Sequence, residues 1–152
     1  DIFFIPEDVN DLRRFLKIIK NNLPFYILGA GSNTLFRDSG FDGAVIKLSK
    51  NFDYVKFIND KEFKVGAATN CIKLARFLAK NYATGLEFFS GIPGSIGGAI
   101  KMNAGAYGYE TSKLLTKIKL LDSRDGKIKE ILTMDYKMQY SQTNFPDSYI
   151  FL

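Results

Sequence analysis

The chain has no histidine, no tryptophan and only one cysteine among its 152 residues. Each shortage removes a class of chemistry. A serine–histidine catalytic triad cannot be assembled from these residues, and with so few nitrogen and sulfur ligands no metal site is expected. Cys71 has no partner for an internal disulfide, which fits a reducing compartment and points to the cytoplasm. No stretch reaches the ~20 apolar residues that a membrane-spanning helix needs, and no secretory leader is visible, so no membrane association is expected.

What remains is an ordinary globular balance: 46% hydrophobic and 24% charged residues, with fourteen Phe and eight Tyr to fill a core. The formal charge is +5 and the pI about 9.2. A basic surface can attract nucleic acid, anionic lipid or phosphorylated small molecules. Here the cations are scattered, as at Lys17, Lys47, Lys56, Lys73, Lys101 and Lys117. That pattern reads as a solvated basic surface rather than a nucleic-acid track, and no obligate protein partner is expected.

Residues 2–5 read as a buried strand ended by Pro6. Val9, Leu12, Leu16 and Ile19 then recur at helical spacing, with Glu7 and Asp8 in the first turn and Lys17 and Lys20 near the end, as the helix dipole favours. Residues 25–28 and 44–48 are further apolar runs, so strand, helix and strand suggest a small parallel unit with a crossover helix. Residues 54–58 and 62–65 flank Asn59-Asp60-Lys61, and residues 117–121 and 127–132 flank Asp125-Gly126; both are hairpin signals. Between them, Thr69 is placed to cap a helix whose apolar face is Ile72, Ala75, Leu78 and Ala79. The sum is an α+β protein in two lobes, residues 1–50 and 51–152. Apolar runs stand at both ends of the chain, as if neighbouring sequence had been removed.

Eleven of the thirteen glycines fall in two stretches, residues 29–43 and 85–108. In the first, Gly29-Ala30-Gly31-Ser32-Asn33-Thr34 directly follows a predicted strand. Successive N–H groups in such a turn form a concave anion site, and the three short polar side chains add donors. The target would be a phosphate or pyrophosphate, although an ordinary tight connection explains this loop equally well. It is not a P-loop, since no Gly-Lys-Ser/Thr follows, and turn signals at residues 38–43 leave no room for a Rossmann helix. The second stretch, GLEFFSGIPGSIGGAIKMNAGAYG, is harder to explain as packing. Glycines 91, 94, 97 and 98 alternate with apolar residues and a proline, so a rigid backbone can lie flat against a large ligand. A flat, extended cofactor carrying a diphosphate suits both stretches.

Taken together, LGAGSNTLFRDSGFDGAVIKL and GLEFFSGIPGSIGGAIKMNAGAYG resemble the two flavin-binding signatures of the UDP-N-acetylenolpyruvoylglucosamine reductase family. The resemblance extends over essentially the whole chain; the second string is highly specific, while the first is shared with flavoproteins of the vanillyl-alcohol oxidase type. It implies a noncovalently bound FAD in a two-lobed vanillyl-alcohol oxidase/PCMH-type domain, with a small parallel lobe packed on a larger antiparallel one. Gly29, Ala30, Gly31, Ser32 and Asn33 would hold the diphosphate. Gly91, Ile92, Pro93, Gly94, Ser95, Gly98, Asn103 and Gly105 would line the rest of the cofactor, with Ile150 in a final strand close to the flavin. Tyr107 and Tyr140 would face the substrate. The family reaction has two steps: NADPH reduces FAD, and hydride then passes to the enolpyruvyl double bond of UDP-N-acetylglucosamine enolpyruvate, giving UDP-N-acetylmuramate for peptidoglycan synthesis. Such a transfer pushes negative charge toward the substrate carboxylate and needs a cation and a proton donor nearby.

The family pattern also includes a Thr and a Gly-Gly pair before Asp1, and a substrate-binding domain after Leu152 that carries a serine proton donor and a late glutamate. Within the chain, Met138-Gln139-Tyr140-Ser141-Gln142-Thr143 aligns with a family segment in which Ser141 would be the active-site arginine. A hydroxyl offers one donor where arginine offers a fixed positive fork. Two other readings stay open: an FAD-dependent oxidase or dehydrogenase of the same superfamily, and a degenerate flavin-binding module without catalysis.

Overall fold

The computed structural model describes residues 2–19 and 23–152. The chain opens with β1 (Ile2–Phe4), α1 (Val9–Ile19), β2 (Phe25–Ile27) and β3 (Ala44–Ile46). The three strands form one parallel sheet in the order β1-β3-β2, so the helix-bearing crossover spans the position that β3 later fills. Ile2, Ala44 and Phe25 are in register, as are Phe4, Ile46 and Ile27. Apart from Ile2 at the open end of the edge strand, these two rows belong to the face that meets α1, whose Leu12, Leu16 and Ile19 are buried; Phe4 stacks on Phe15 with ring centroids 3.9 Å apart. Burying side chains of this size is worth ~1.5–3 kcal/mol each.

Two expectations change here. Ile2, Phe3 and Ile5 are exposed rather than buried. With β1 at a sheet edge and α1 on a single face, the row of Phe3, Val45 and Tyr26 looks outward. Glu7 and Asp8 precede α1 instead of forming its first turn. The Asp8 carboxylate accepts the Asp11 N–H at 2.7 Å, and the Asp11 carboxylate accepts the Glu7 N–H at 2.9 Å. Lys20 lies outside the described residues.

β4 (Val55–Phe57) and β5 (Phe63–Val65) form the first expected hairpin. α2 (Cys71–Lys80) follows, with Cys71, Leu74, Ala75 and Leu78 buried. The apolar stripe is therefore one residue off the expected one: Ile72 is half-buried and Ala79 exposed. A 3-10 turn over Glu87–Gly91 leads into the short α3 (Ile96–Lys101). Next come the small hairpin β6 (Gly105–Ala106) and β7 (Tyr109–Glu110), then β8 (Lys117–Asp122) and β9 (Lys127–Leu132), the second expected hairpin. A fourth hairpin pairs β10 (Met138–Gln139) with β11 (Gln142–Thr143), and β12 (Tyr149–Phe151) closes against β8 in an antiparallel sheet of order β12-β8-β9.

Two hydrophobic clusters result. One gathers α2, the 3-10 turn, α3 and the inner face of β8. The other joins Leu12, Leu16, Ile19, Ala44 and Ile46 to Phe52, Leu121, Ile150 and Leu152. The last residues thus complete a core that the first residues begin. Among the described residues, no helix is long and apolar enough to cross a membrane.

Candidate functional site

The first glycine loop leaves the end of β2 and is exposed from residue 30 to residue 33. Tyr26 on β2 steadies it through a 2.8 Å hydrogen bond between its hydroxyl and that of Thr34. Phe36 and Phe41 pack edge-on against the same Tyr26 ring. Gly31 has φ +82°, left-handed backbone that a side chain resists, with open space where its Cβ would stand. Among the described residues, none of the N–H groups of residues 29–33 donates to a protein acceptor. These five successive amides, with no acceptor among the described residues and no acidic side chain among them, are donors available to an anion.

The second stretch is held from behind by the segment before α2. Cys71 N–H donates to Gly94 O at 2.9 Å, Ile96 N–H to Thr69 O at 2.9 Å and Gly97 N–H to Ala67 O at 2.8 Å. Gly97 lies so close to Ala67 that an added Cβ would stand 3.2 Å from the Ala67 Cβ. Ser95 begins α3, its hydroxyl accepting the Gly98 N–H at 3.3 Å. Cys71 sits behind this wall, and burial pushes its thiol up to about 12. It therefore stays neutral and out of reach of a bound ligand.

The two stretches meet. A Cβ on Gly29 would stand 2.7 Å from Ser95 Oγ, and one on Gly94 would stand 3.5 Å from Ser32 Oγ. Residues more than sixty positions apart thus face each other across a narrow seam, where the serine hydroxyls of each stretch stand over the glycines of the other. Beyond the seam, the Tyr107 ring, 84% exposed, lies 3.6 Å from where a Gly91 Cβ would be. Gly105 is in β6, at the base of the hairpin that carries this tyrosine. Ile92 and Pro93 connect Gly91 to the seam, with Ile92 packed against the first core cluster.

Four further candidates have settings of their own. Asn103 is fully buried, and its amide is engaged by Glu110 and by the Ser112 N–H. Ile150 is 1% exposed, its side chain in the second core cluster, so only its backbone is free to meet a ligand. Tyr140 and Ser141 form the exposed turn of the β10–β11 hairpin, with Ser141 at φ 61°. That hairpin is tied to the end of α3 by the Thr143 hydroxyl, which donates to Lys101 O at 2.7 Å. Glu110 and the Tyr26–Thr34 bond were not singled out by the sequence, and Gly97 was singled out as one glycine of the wall but not as the point packed on Ala67. Only the density of glycine around Gly97 hinted at close packing.

A neutral amide cradle on a small parallel sheet, joined to a glycine-lined wall on an antiparallel lobe, defines a nucleotide-cofactor domain of the two-lobed flavoprotein class. A family profile described as FAD binding domain matches residues 1–132. The chain belongs to that family. It is 40% identical over 148 residues to a UDP-N-acetylenolpyruvoylglucosamine reductase of Caulobacter sp. (strain K31), an alignment covering 97% of this chain and 48% of that protein. A crystal structure of a UDP-N-acetylenolpyruvylglucosamine reductase from Thermus caldophilus superposes with TM-score 0.82 at 30% identity, over 98% of this chain and 52% of the other. p-Cresol methylhydroxylase shares the fold alone, with TM-score 0.67 at 14% identity over 98% of this chain and 33% of the other. The chain spans about half the length of the curated relatives it matches.

Proposed function

We propose that this chain is the FAD-binding part of an NADPH-dependent reductase that converts UDP-N-acetylglucosamine enolpyruvate into UDP-N-acetylmuramate in the cytoplasm. The observation that carries the reading is the seam between the two glycine loops, on a chain similar along nearly its whole length to such reductases. Residues 29–33 supply amides for the cofactor diphosphate, and Gly91, Ile92, Pro93, Gly94, Ser95, Gly98 and Gly105 form a wall too thin in side chains to obstruct a flat ring system. FAD, when bound, supplies the hydride chemistry; the chain supplies position and shields the cofactor. Tyr107 and Tyr140, both exposed on hairpin tips, are assigned here to meet substrate, a role their exposure supports. The reading further divides the chain into lobes at residues 1–50 and 51–152 and assigns the UDP-sugar and proton donation to a domain following Leu152.

Attachment is noncovalent in this reading: these 152 residues hold no histidine to form a flavin bond, and Cys71 is buried and neutral. Protein expressed from its complete reading frame is expected to be yellow and to release its flavin on acid precipitation. A colourless product that FAD cannot reconstitute, or flavin that stays on the pellet, would sink the reading. Stopped-flow measurement of the two half-reactions tests Ser141. With a hydroxyl in place of a cation, flavin should accept electrons from NADPH normally and pass them to substrate slowly. Ser141→Arg should speed the second step by ~10²–10³, the usual worth of a preorganised donor at a developing charge, and leave the first nearly unchanged. Equal second steps in the two proteins would remove residue 141 from the active site.

A further inference from the structure

Two residues of the second glycine stretch hold left-handed backbone although they are not glycine: Asn103 at φ 41° and Tyr107 at φ 55°. For a tyrosine this is uncommon and persists only where its surroundings impose it. The imposing structure is the β6–β7 hairpin, closed by the two-residue turn of Tyr107 and Gly108, both at positive φ. With strands of two residues each, whatever fixes the base of this hairpin also fixes its tip. Asn103 sits at that base, one residue beyond the C-cap of α3 and 0% exposed. Its Nδ2 donates to Glu110 Oε2 at 3.0 Å, and its Oδ1 accepts the Ser112 N–H at 2.8 Å. Beside it, the Thr111 N–H and hydroxyl both donate to Ala104 O, at 3.0 and 2.7 Å. Residues 110–112 are thereby laced to residues 103–104.

We propose that Asn103 is a positioning residue: its amide does not touch the cofactor, but locks the hairpin so that the Tyr107 ring stands over Gly91 beside the flavin. The proposal rests on the flavin-binding reading above. An asparagine amide presents one donating and one accepting face, and this site uses both. Aspartate keeps the acceptor for Ser112 but sets a second carboxylate against Glu110, and a hydrocarbon of the same shape leaves both partners unsatisfied.

The test is the dissociation constant for FAD, by fluorescence titration, in protein from the complete reading frame. Failure of the unaltered protein to bind FAD would remove the functional reading itself, before any variant is made. Given binding, Asn103→Asp should weaken it about tenfold or more at neutral pH, the scale expected for one broken buried hydrogen bond. The loss should shrink on acidification, as the two carboxyls come to share a proton. Asn103→Asp combined with Glu110→Gln exchanges donor and acceptor and should recover affinity to within about threefold of the unaltered protein. In a Tyr107→Ala background the Asn103→Asp loss should fall below about threefold. The proposal is overturned if Asn103→Asp binds FAD normally, if the exchanged pair recovers nothing (insolubility included), or if the loss is the same with and without Tyr107.

Discussion

At the scale of single residues, the glycines differ in what they forbid. A side chain on Gly29 would displace the Ser95 hydroxyl, 2.7 Å from the Cβ position, from its bond to the Gly98 N–H, whereas Gly31 has room but a φ of +82°. Gly29→Ala should uncap α3 or push the loops apart, and Gly31→Val should strain the backbone by ~1–2 kcal/mol or rotate the amides away. Both should purify with little flavin and an unchanged far-ultraviolet circular dichroism spectrum; full flavin content in either soluble variant would reduce the loops to ordinary turns. Asp122 makes a different point. It is 1% exposed and accepts hydrogen bonds from Arg124 Nη2 at 2.7 Å and Lys129 Nζ at 2.6 Å. The Arg124 guanidinium above all, with Lys129 helping, holds its carboxyl well below the usual range against the upward push of burial. Because the folded value is depressed, this stabilisation is present above the unfolded value of about 4 and is lost as pH falls below it. Asp122→Asn should therefore cost roughly 2 kcal/mol near neutrality and flatten the acid limb of stability below about pH 4, as urea titrations across pH would register. An acid limb of unaltered slope would mean that Asp122 titrates alike in both states.

At the scale of elements, α2 owes its start to a residue adjacent to the expected one. Asn70, not Thr69, caps it by accepting the Lys73 N–H at 3.0 Å. The Thr69 hydroxyl is directed instead to Tyr54 O at 3.3 Å, and asparagine is the better cap. Asn70→Ala should cost ~1 kcal/mol, lowering Tm by about 2–4 °C in a domain of this size; an unchanged Tm would remove Asn70 as the cap. Helix stripes and hairpins were legible because their signals are local: Leu12, Leu16 and Ile19 repeat within one helix, and Asp125-Gly126 marks its own turn. What escaped depends on distant partners. Nothing near Ala44 says that β3 enters between β1 and β2, and nothing near Ile2 says that one face of β1 is bare. α3 is six residues long with two consecutive glycines, too short and too poor in propensity to be a helix by itself. It forms because Gly97 fits against Ala67 and bonds to its carbonyl. The candidate site was legible as two glycine stretches, and the resemblance named the cofactor; their apposition through Gly29 and Ser95 was not readable from either stretch.

At the scale of the whole molecule, the second core cluster decides how the parts depend on one another. Leu12, Leu16, Ile19, Ala44 and Ile46 come from the first 46 residues, while Leu121, Ile150 and Leu152 come from near the end. Neither lobe has all of its apolar surface covered without the other, so heating should melt them in one transition. The same arrangement sets an order during synthesis. The parallel unit leaves the ribosome before β12, whose Ile150 joins its core cluster, and which follows roughly 100 residues later, a wait of roughly 5–20 s at cellular elongation rates. Over that interval the nascent lobe carries an open apolar face. Chains halted at residue 132 should be cut by protease within residues 1–48, while chains extended through residue 152 resist; equal resistance would show that the first lobe closes unaided. An organism making this protein thus carries a half-finished core while the roughly 100 residues between β3 and β12 are translated, and that interval, rather than the finished fold, is where chaperones would be needed.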